Sequence, residues 1–247
     1  METELVVVMP VYNEAECIAE VLQFWKAMLS RLVLRYQIIV LNDGSKDRTA
    51  DELAKFSGDE NVTVINKPNS GHGPTILQGY CLAVERADWV FQCDSDDEMK
   101  PQHFPGLWEN RDQYDALFGY RAGRAQNLGR RLISVVSRLT VRLLFGTGVR
   151  DVNTPYRLMR ATLLKAIIGQ IPPDTFAPNV IISGALAKAK ARIYNQPVPH
   201  EGRRTGSVSI VKWKLWTAAF KSFRQTLRCR PVITLPESAA TAQRRAA

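Results

Sequence analysis

The sequence has few cysteines, and they are not arranged for metal binding or redox chemistry. Four occur in 247 residues, far apart and without the paired spacing of a zinc site or a redox dithiol. Cys17, Cys81 and Cys93 fall in apolar segments, where a free thiol usually serves as a small packing group. We therefore expect these cysteines, and Cys229, to be reduced packing residues.

Histidine is equally scarce, and the three histidines share no recognisable metal-ligand spacing. We expect His72, His103 and His200 to be loop or surface residues, and the sequence assigns none of them a catalytic role. A Walker-type glycine-lysine phosphate loop is missing too, so the sequence gives no indication of an ATPase.

Long hydrophobic runs are missing as well. No stretch approaches the roughly 18 apolar residues that a membrane-spanning helix requires. The first residues, Met1-Glu2-Thr3-Glu4, lack the basic start of a secretory signal. We therefore expect a cytoplasmic protein.

Acidic residues are outnumbered, with 24 Asp and Glu against 33 Lys and Arg and a net charge of +9. Such a balance is typical of proteins with an anionic partner, which could be a phosphorylated substrate, an acidic lipid or a nucleic acid. Charge alone does not choose among these partners. Because a nucleic-acid partner rests on charge only, we expect none.

The 247 residues of the chain suit one globular domain. The first half of the chain alternates short apolar runs with segments of helical periodicity. This order predicts an α/β fold with a mostly parallel, doubly wound sheet, in which ligands bind beyond the carboxyl ends of the strands. The predicted strands are 5–9, 37–41, 61–66 and 88–93; the predicted helices are 16–34, 47–56 and a segment from Pro74 to Ala87.

An acidic cluster follows the fourth predicted strand. Asp94, Ser95, Asp96 and Asp97 come directly after a buried apolar run, which places adjacent carboxylates at the ligand-binding edge of the sheet. Hard oxygen ligands of this kind suit Mg²⁺ or Mn²⁺, held by one or two carboxylates and completed by substrate phosphates. The alternative is a solvated acidic turn that caps the next helix.

Two further polar loops are predicted at the same edge, residues 10–14 after the first strand and a turn that begins at Asn42 after the second. A carboxylate at a strand end can accept hydrogen bonds from a nucleobase or a ribose, while the acidic cluster can hold a cation against a diphosphate. The combination suggests a nucleotide-sugar donor.

These motifs resemble those of the family 2 glycosyltransferases, which have the GT-A fold, and especially the dolichol-phosphate mannose synthase and polyprenyl-phosphate glycosyltransferase branch. The resemblance covers roughly residues 5 to 205. Its motifs are Met9-Pro10-Val11-Tyr12-Asn13-Glu14, Asn42-Asp43-Gly44-Ser45-Lys46-Asp47, Asn69-Ser70-Gly71-His72-Gly73 with Gly79, and Asp94-Ser95-Asp96. It implies a Rossmann-like, mostly parallel sheet flanked by helices and a nucleoside-diphosphate sugar donor linked to UDP, GDP or dTDP.

The resemblance also implies roles for individual donor-site residues. Asp94 and Asp96 would contact the diphosphate and a divalent cation, Mn²⁺ or Mg²⁺, and Glu98 would add a third metal contact or cap the following helix. Asn42 stands where relatives usually have Asp, which leaves the base contact open. The residues implied to bind the donor nucleotide are Pro10, Tyr12, Asn13, Glu14, Asn42, Asp43, Gly71 and Asp94.

The second half of the chain is implied to bind the acceptor. Its arginines suit phosphate because the planar guanidinium donates two parallel hydrogen bonds; the alternative is solvated surface charge. The residues implied to contact acceptor or donor phosphates are Arg121, Arg124, Arg157, Arg203 and Arg204, the last two in a loop that closes over the donor.

Transfer needs stabilisation of the departing diphosphate, which the resemblance assigns to Asp94 and Asp96 with Arg203 or Arg204. A lipid-phosphate acceptor is already anionic and needs no strong base. A hydroxyl acceptor needs one, and Asp151 is then the first candidate and Asp97 the second. Asp151 could equally be a helix-capping or structural residue.

Two basic amphipathic segments bear on the acceptor, residues 130–145 and 211–230. Helices of this kind that contain tryptophan often lie in a membrane interface, although packing against the domain is the alternative. We expect a catalytic domain over 1–210, with a donor half at 5–100 and an acceptor half at 101–210, then the amphipathic helix at 211–230 and a disordered tail at 231–247. The spanning helices that follow the catalytic domain in many lipid-linked relatives have no counterpart in this sequence.

The sequence thus predicts a metal-dependent, inverting glycosyltransferase that acts on a polyprenyl phosphate, with peripheral membrane contact. Two alternatives remain open. One is transfer to a soluble hydroxyl acceptor; the other is a catalytically idle nucleotide-binding module that recruits a partner.

Overall fold

A seven-stranded sheet forms the centre of the computed structural model, which describes residues 3–122, 148–199 and 223–229. The strands lie in the order β3-β2-β1-β4-β6-β5-β7. Their bounds are Thr3–Val11 (β1), Tyr36–Asp43 (β2), Val62–Lys67 (β3), Ala87–Gln92 (β4), Ala116–Ala122 (β5), Arg157–Arg160 (β6) and Ile193–Pro199 (β7).

The helices connect these strands and cover the sheet. Those described are Ile18–Arg31 (α1), Thr49–Ala54 (α2), His72–Ala83 (α3), Phe104–Glu109 (α4), Ala161–Ile168 (α5), Pro178–Lys188 (α6) and residues 223–228 (α7). Short 3₁₀ turns at Pro101–His103 and Arg111–Gln113 flank α4.

The sheet is mostly parallel, as predicted. Strands β1 to β4 pair with one another in parallel, and β5 pairs with β7 in parallel, whereas β6 is antiparallel to both β4 and β5. β1 lies between β2 and β4, so the strand order changes direction at β1. In open α/β sheets, ligands usually bind beyond the strand ends at such a switch point.

Alternate residues of the strands build one apolar layer on each face of the sheet. Val6 and Val8 pack in the layer covered by α3, α5 and α6, while Val7 and Met9 pack in the layer of α1 and α4. Burial on both faces explains why β1 is apolar from Leu5 to Val11. The second layer includes an aromatic group in which the rings of Trp25 and Phe91 are 5.2 Å apart.

Several predicted bounds were wrong in ways that matter for the site. The turn expected to begin at Asn42 begins later, because β2 pairs with β3 as far as Asp43. The helix expected to reach Ala87 ends at Ala83, and Ala87 begins β4. Cys81 is exposed, contrary to the expected packing role, because it lies on the outer side of α3.

Candidate active site

The predicted donor loops meet at one edge of the sheet, beyond the carboxyl ends of β1, β2 and β4. Residues 12–17 follow β1, residues 44–48 follow β2, and residues 93–100 follow β4. Because the three strands are parallel and adjacent, their following loops have to share this edge. The arrangement agrees with the edge predicted from the sequence.

The first two loops are tied together by short hydrogen bonds. The main-chain N–H of Asn13 donates to Ser45 Oγ at 3.0 Å, and Asn13 Oδ1 accepts from the N–H of Lys46 at 2.8 Å. The N–H of Glu14 donates to Thr49 Oγ1 at 2.9 Å. Asn13 adopts φ 55°, a conformation that asparagine tolerates better than most residues. The loops therefore form one rigid wall.

Asp43 anchors the glycine-rich segment. Its carboxylate accepts from the N–H of Ser70 at 2.8 Å and from the N–H of Gly71 at 2.9 Å, and it also binds Lys67. Burial opposes ionisation, but the bonds from Lys67, Ser70 and Thr75 outweigh it and lower the pKa of Asp43 below 3.8. Both oxygens thus hold the segment in place, and a base or ribose contact at Asp43 stays a prediction.

The side chain of Asn42 also hydrogen-bonds to neighbouring side chains. Its Nδ2 donates to Asn66 Oδ1 at 2.8 Å, and its Oδ1 accepts from Ser45 Oγ at 2.6 Å. The side chain is buried. In this structure Asn42 fixes the turn after β2.

Gly71 and Gly73 let α3 begin close to neighbouring backbone. Gly71 has φ 92°, which a side chain would strain. A Cβ on Gly73 would lie 2.2 Å from the carbonyl oxygen of Phe176 and 2.3 Å from that of Thr175. The loop before α6 therefore packs directly against the first turn of α3.

One carboxylate oxygen of Asp94 accepts hydrogen bonds from two side chains. Its Oδ1 lies 3.1 Å from His72 Nε2 and 3.1 Å from Gln92 Nε2. Desolvation opposes the charge on His72, but the carboxylates of Asp94, Asp96 and Asp43 outweigh it and raise the pKa of His72 above 6.5. None of the described residues donates to Oδ2, which leaves that oxygen to a ligand at the sheet edge.

Asp96 and Glu98 follow in the same loop. The N–H of Glu98 donates to Asp96 Oδ1 at 3.2 Å, and the neighbouring Asp97, with φ 58°, forms an ion pair with Lys100. No group of three or more His, Cys, Asp or Glu side chains in the described ranges is placed to hold a metal ion. Asp94, Asp96 and Glu98 therefore do not make a preformed three-carboxylate site.

Arg121, at the end of β5, forms a two-point ion pair with Asp151. The distances are 2.7 Å from Nε to Oδ2 and 3.0 Å from Nη2 to Oδ1. Burial favours the neutral forms, but the mutual attraction outweighs it, lowering the pKa of Asp151 and raising that of Arg121. The charges of Asp94 and Glu98 also raise the pKa of Arg121, so this guanidinium belongs to the electrostatic surroundings of the acidic loop.

The family model described as Glycosyl transferase family 2 matches residues 6–168, a range that includes the loops after β1, β2 and β4. The chain belongs to this family.

Curated relatives of the chain act on a lipid phosphate, according to their names. Undecaprenyl-phosphate 4-deoxy-4-formamido-L-arabinose transferase from Pseudomonas aeruginosa (strain LESB58) is 30% identical over 218 residues, which are 87% of this chain and 62% of that protein. The enzyme of the same name from Edwardsiella ictaluri (strain 93-146) is 30% identical over 85% of this chain and 63% of its own length. The chain thus spans less than two thirds of these relatives.

Solved structures with the same fold include two synthases of phosphorylated glycosides. Glucosyl-3-phosphoglycerate synthase from Mycobacterium tuberculosis, in complex with Mn²⁺, UDP and glucosyl-3-phosphoglycerate, superposes with a TM-score of 0.68 at 20% identity over 96% of this chain and 82% of that one. Mannosyl-3-phosphoglycerate synthase from Rubrobacter xylanophilus gives 0.69 at 16% identity over 92% and 73%. At this identity the likeness shows the fold, and the GT-A fold predicted from the sequence is confirmed.

Arg157 requires a correction within the family assignment. The prediction that it binds acceptor phosphate was wrong, because its side chain is fully buried. The guanidinium donates to the carbonyl oxygens of Thr154 at 3.0 Å, Asn179 at 3.2 Å and Val152 at 3.3 Å, and it stacks on Phe118. Burial lowers the pKa of Arg157. This arginine holds the loop that carries Asp151.

Some predicted residues lie outside the described ranges. These are Arg124, Arg203, Arg204, the segment 130–145, residues 211–222 and 230 of the amphipathic segment, and the segment 231–247. Residues 223–228 of the amphipathic segment are helical. The division of the chain into donor half, acceptor half and tail stays a prediction.

Sequence reasoning missed two side chains at the acidic loop, His72 and Gln92. His72 is a surface residue as expected, with its side chain 60% exposed, but its contact with Asp94 was not predicted. Its place in the glycine-rich motif, at the start of the helix that follows β3, was the available signal. Gln92 was hidden in an apolar strand, where a single polar residue among Trp89, Val90 and Phe91 was the available signal.

Proposed function

We propose that this family 2 glycosyltransferase moves a sugar from a nucleoside-diphosphate sugar to a polyprenyl phosphate, with inversion at the anomeric carbon. The observation that carries the proposal is the meeting of the Asp94-Ser95-Asp96 motif with the loops after β1 and β2 at one sheet edge. The names of the relatives at 30% identity support the lipid phosphate as acceptor.

The acidic loop suits a divalent cation bound together with the donor. Its ligands are hard oxygens, and Asp94 Oδ2 has no described donor. The lack of a three-ligand cluster among the described residues fits an ion whose shell is completed by substrate phosphates. A Mn²⁺ or Mg²⁺ ion on Asp94 and Asp96, with Glu98 nearby, would neutralise charge on the departing diphosphate. The Mn²⁺ and UDP in the complex of the mycobacterial synthase support this assignment.

The donor nucleotide is proposed to lie against the rigid wall of the first two loops. Tyr12 and Asn13 border this wall, and the partly exposed Gly71 adds main-chain groups beside it. Pro10, Glu14, Asn42 and Asp43 are buried behind these residues. We propose that they shape the base and ribose pocket chiefly by holding the loops, with UDP, GDP and dTDP as the candidate nucleotides.

The transfer itself is proposed to be a single displacement. An oxygen of the acceptor phosphate forms a bond to the anomeric carbon while the bond to the diphosphate oxygen breaks, and the electron pair leaves with the nucleoside diphosphate. No proton has to be removed from a phosphate anion. The ion pair of Asp151 with Arg121 supports a phosphate acceptor, because a paired carboxylate with a lowered pKa is a weak base near pH 7.

Arg121 is proposed to attract the acceptor phosphate toward the acidic loop. Its side chain is 17% exposed, and Asp151 holds the guanidinium in one orientation. A guanidinium suits this task because it stays charged and binds phosphate through a planar set of donors. We propose that Arg124, Arg203 and Arg204 add further positive charge for the acceptor and the leaving group.

A surface beside the site suits peripheral contact with an acidic membrane. Helix α7 packs on the loop before α6 through Gln225, whose Oε1 accepts from the N–H of Phe176 at 2.8 Å. The apolar side chains of Phe176, Phe223 and Leu227 are 37%, 39% and 36% exposed, and Arg224 and Arg228 are exposed in the same helix. We call these five residues the α7 patch. None of the described helices is long and apolar enough to cross a membrane.

The loop that carries Phe176 also touches the start of α3 at Gly73, which joins the α7 patch to the donor site. A bilayer at this patch would deliver the lipid phosphate close to the acidic loop. Apolar side chains flanked by arginines are typical of interfacial helices that recognise anionic lipids.

The first test is thermal stabilisation of the purified protein by UDP, GDP and dTDP, each with and without Mn²⁺, since a ligand of the native state raises its stability. We expect one diphosphate to shift the melting temperature only when the cation is present. Asp96→Asn should abolish this shift, while Asp88→Asn, at the opposite end of β4, should preserve it. No shift for any diphosphate would overturn the donor site and favour the idle-module alternative.

The second test identifies the acceptor. Labelled sugar should move from the matching donor to undecaprenyl phosphate and partition into the organic phase on lipid extraction. Asp96→Asn should abolish the transfer, and Asp88→Asn should not. Label that stays in the aqueous phase on a hydroxyl compound would overturn the lipid acceptor and leave the glycosyltransferase assignment in place.

A further inference from the structure

Gln92 places a neutral amide at the end of β4, directly after the large apolar residues Trp89, Val90 and Phe91. Gln92 is completely buried, and it is the last residue of the strand, two positions before Asp94. Burial of an amide is unfavourable unless its hydrogen bonds are made. Both the oxygen and the nitrogen of the Gln92 amide make hydrogen bonds, and the one from the nitrogen goes to the acidic loop.

The oxygen of Gln92 is held by side chains from two helices. Asn179 Nδ2, on α6, donates to Gln92 Oε1 at 2.9 Å. The hydroxyl of Tyr80, on α3, donates to Asn179 Oδ1 at 3.0 Å and lies 3.5 Å from Gln92 Oε1. All three side chains are buried, at 0% exposure for Tyr80 and Gln92 and 3% for Asn179. The cluster is therefore shielded from bulk solvent.

The chemistry of the groups fixes the direction of each bond. A carboxylate can only accept, so the Gln92 amide has to turn its Nε2 toward Asp94, where the distance to Oδ1 is 3.1 Å. Its Oε1 then faces inward and accepts from Asn179. The opposite amide rotamer would place two acceptors against each other at Asp94. The Asp94 carboxylate thus selects one orientation of Gln92, and the bond from Asn179 supports that orientation.

This orientation determines how Asp94 meets a ligand. Oδ1 receives Gln92 from the interior and His72 from α3, whereas no described residue donates to Oδ2. Rotation of the carboxylate would break the bond from Gln92 and leave a buried N–H without an acceptor, which is costly. Asp94 therefore presents Oδ2 to the sheet edge in a fixed direction.

We propose that Gln92, clamped by Asn179 and Tyr80, is a positioning residue that orients Asp94 for the diphosphate and its cation. The inference rests on the proposed function, because it assigns Gln92 to the donor site described there. Residues that hydrogen-bond a metal-binding carboxylate commonly change metal affinity by about 10- to 100-fold when they are replaced. Gln92 would act in this way, through Asp94 rather than by touching the donor.

The experiment measures the Mn²⁺ concentration that gives half of the maximal thermal stabilisation, at a fixed concentration of whichever of UDP, GDP or dTDP stabilises the wild type. Gln92→Met keeps the length of the side chain and removes its donor. We expect this variant to need about tenfold more Mn²⁺. The same titration by transfer activity should show the rise in Mn²⁺ requirement, with activity largely restored at saturating Mn²⁺.

Gln37→Met is the matched control. Gln37 is also an amide in the sheet, bonded to Thr63 Oγ1 at 3.1 Å, but it is the second residue of β2 and lies at the opposite edge. Its replacement should lower the melting temperature of the apo protein without changing the Mn²⁺ midpoint. A merely structural role for Gln92 would give the same result as this control.

A milder variant keeps the proposal testable if Gln92→Met does not fold. Asn179→Ala leaves the Gln92–Asp94 bond in place and removes the clamp, so the Mn²⁺ midpoint should rise by a smaller factor. A wild-type midpoint in the folded variants would overturn the positioning role while the wild type still responds to diphosphate and cation. If the wild type gives no such response, the proposed function fails, and the role of Gln92 fails with it.

Discussion

The guanidinium of Arg121 and the carboxylate of Asp151 bind each other at two points, with N–O distances of 2.7 and 3.0 Å. The pair connects the end of β5 to the loop before β6, and both side chains are less than 20% exposed. A buried ion pair is costly to break on one side, because the remaining charge loses its partner. Asp151 is therefore tied to the orientation of Arg121.

This relationship predicts a non-additive pair of substitutions. Arg121→Met should lower transfer about 10- to 100-fold, the usual effect of losing a charged hydrogen bond to a substrate. Asp151→Asn should lower it less, and the double variant should resemble Arg121→Met, because Asp151 acts through the arginine. Steady-state rates at saturating donor measure all three. Losses that multiply in the double variant would contradict this and restore Asp151 as an independent base.

The same pair predicts a pH dependence of stability. Burial raises the pKa of Asp151, but the attraction of Arg121 outweighs it, so the folded-state pKa lies below the ordinary value of 3.8. A lowered carboxyl pKa stabilises the fold at pH values above the unfolded-state pKa, and this stabilisation is lost as the pH falls through the folded-state pKa. Wild-type stability should therefore fall in the range below about pH 4.

Substitution of Asp151 measures how much this one carboxyl group contributes to the loss of stability at low pH. The difference in unfolding free energy between wild type and Asp151→Asn should be largest near pH 7 and should shrink below about pH 4, where the wild-type carboxyl also becomes neutral. Denaturant unfolding at several pH values measures it. Asp112→Asn, at an exposed carboxyl, serves as control and should cost little at any pH. A constant difference across the range would count against the ion pair as the source.

A third prediction concerns the contact between α3 and the loop before α6. Gly73→Ala places a methyl group 2.2 and 2.3 Å from two carbonyl oxygens, and backbone atoms cannot move aside as a flexible side chain can. We expect a loss of about 1–3 kcal/mol in unfolding free energy and weaker nucleotide binding, since α3 carries the glycine-rich segment.

Gly169→Ala is the control for this prediction. Gly169 has φ −59°, and an added Cβ would meet nothing closer than the carbonyl oxygen of Lys165 at 3.5 Å. Its replacement should be neutral or slightly stabilising. Equal stabilities for the two alanine variants would show that the loop before α6 does not pack on Gly73.

The donor edge of the site was predictable because its signals are local. Apolar runs such as Leu5 to Met9 end in polar loops, and parallel strands bring those loops to one edge, so Asp94 and Asn13 could be placed without coordinates. The mostly parallel sheet followed from the alternation of strands and helices. The place of β6 did not, because a four-residue antiparallel strand has too few residues to show a period.

The roles of individual charged residues were less predictable, since they depend on distant partners. Arg157 stands in a motif that suggested phosphate, yet its guanidinium is used by carbonyl groups of its own loop and of α6. Gln92 meets Asn179, which is 87 residues away along the chain. A single sequence shows that a side chain is charged or polar, but it does not show which distant residue the side chain will hydrogen-bond in the fold.

The last prediction tests the membrane contact through the α7 patch. Phe223→Asp and Leu227→Asp replace apolar side chains that are more than a third exposed, so they should fold normally and lose affinity for vesicles that contain anionic phospholipid. Co-sedimentation should show a reduction of at least about tenfold for the double variant, because tenfold corresponds to about 1.4 kcal/mol and full burial of one apolar side chain contributes roughly 1.5–3 kcal/mol. The control is Phe24→Asp on α1, which packs on the opposite face of the sheet and is 43% exposed. Equal binding by the α7 and α1 variants would move the membrane contact elsewhere, whereas selective loss with intact nucleotide binding would connect the α7 patch to delivery of the lipid acceptor.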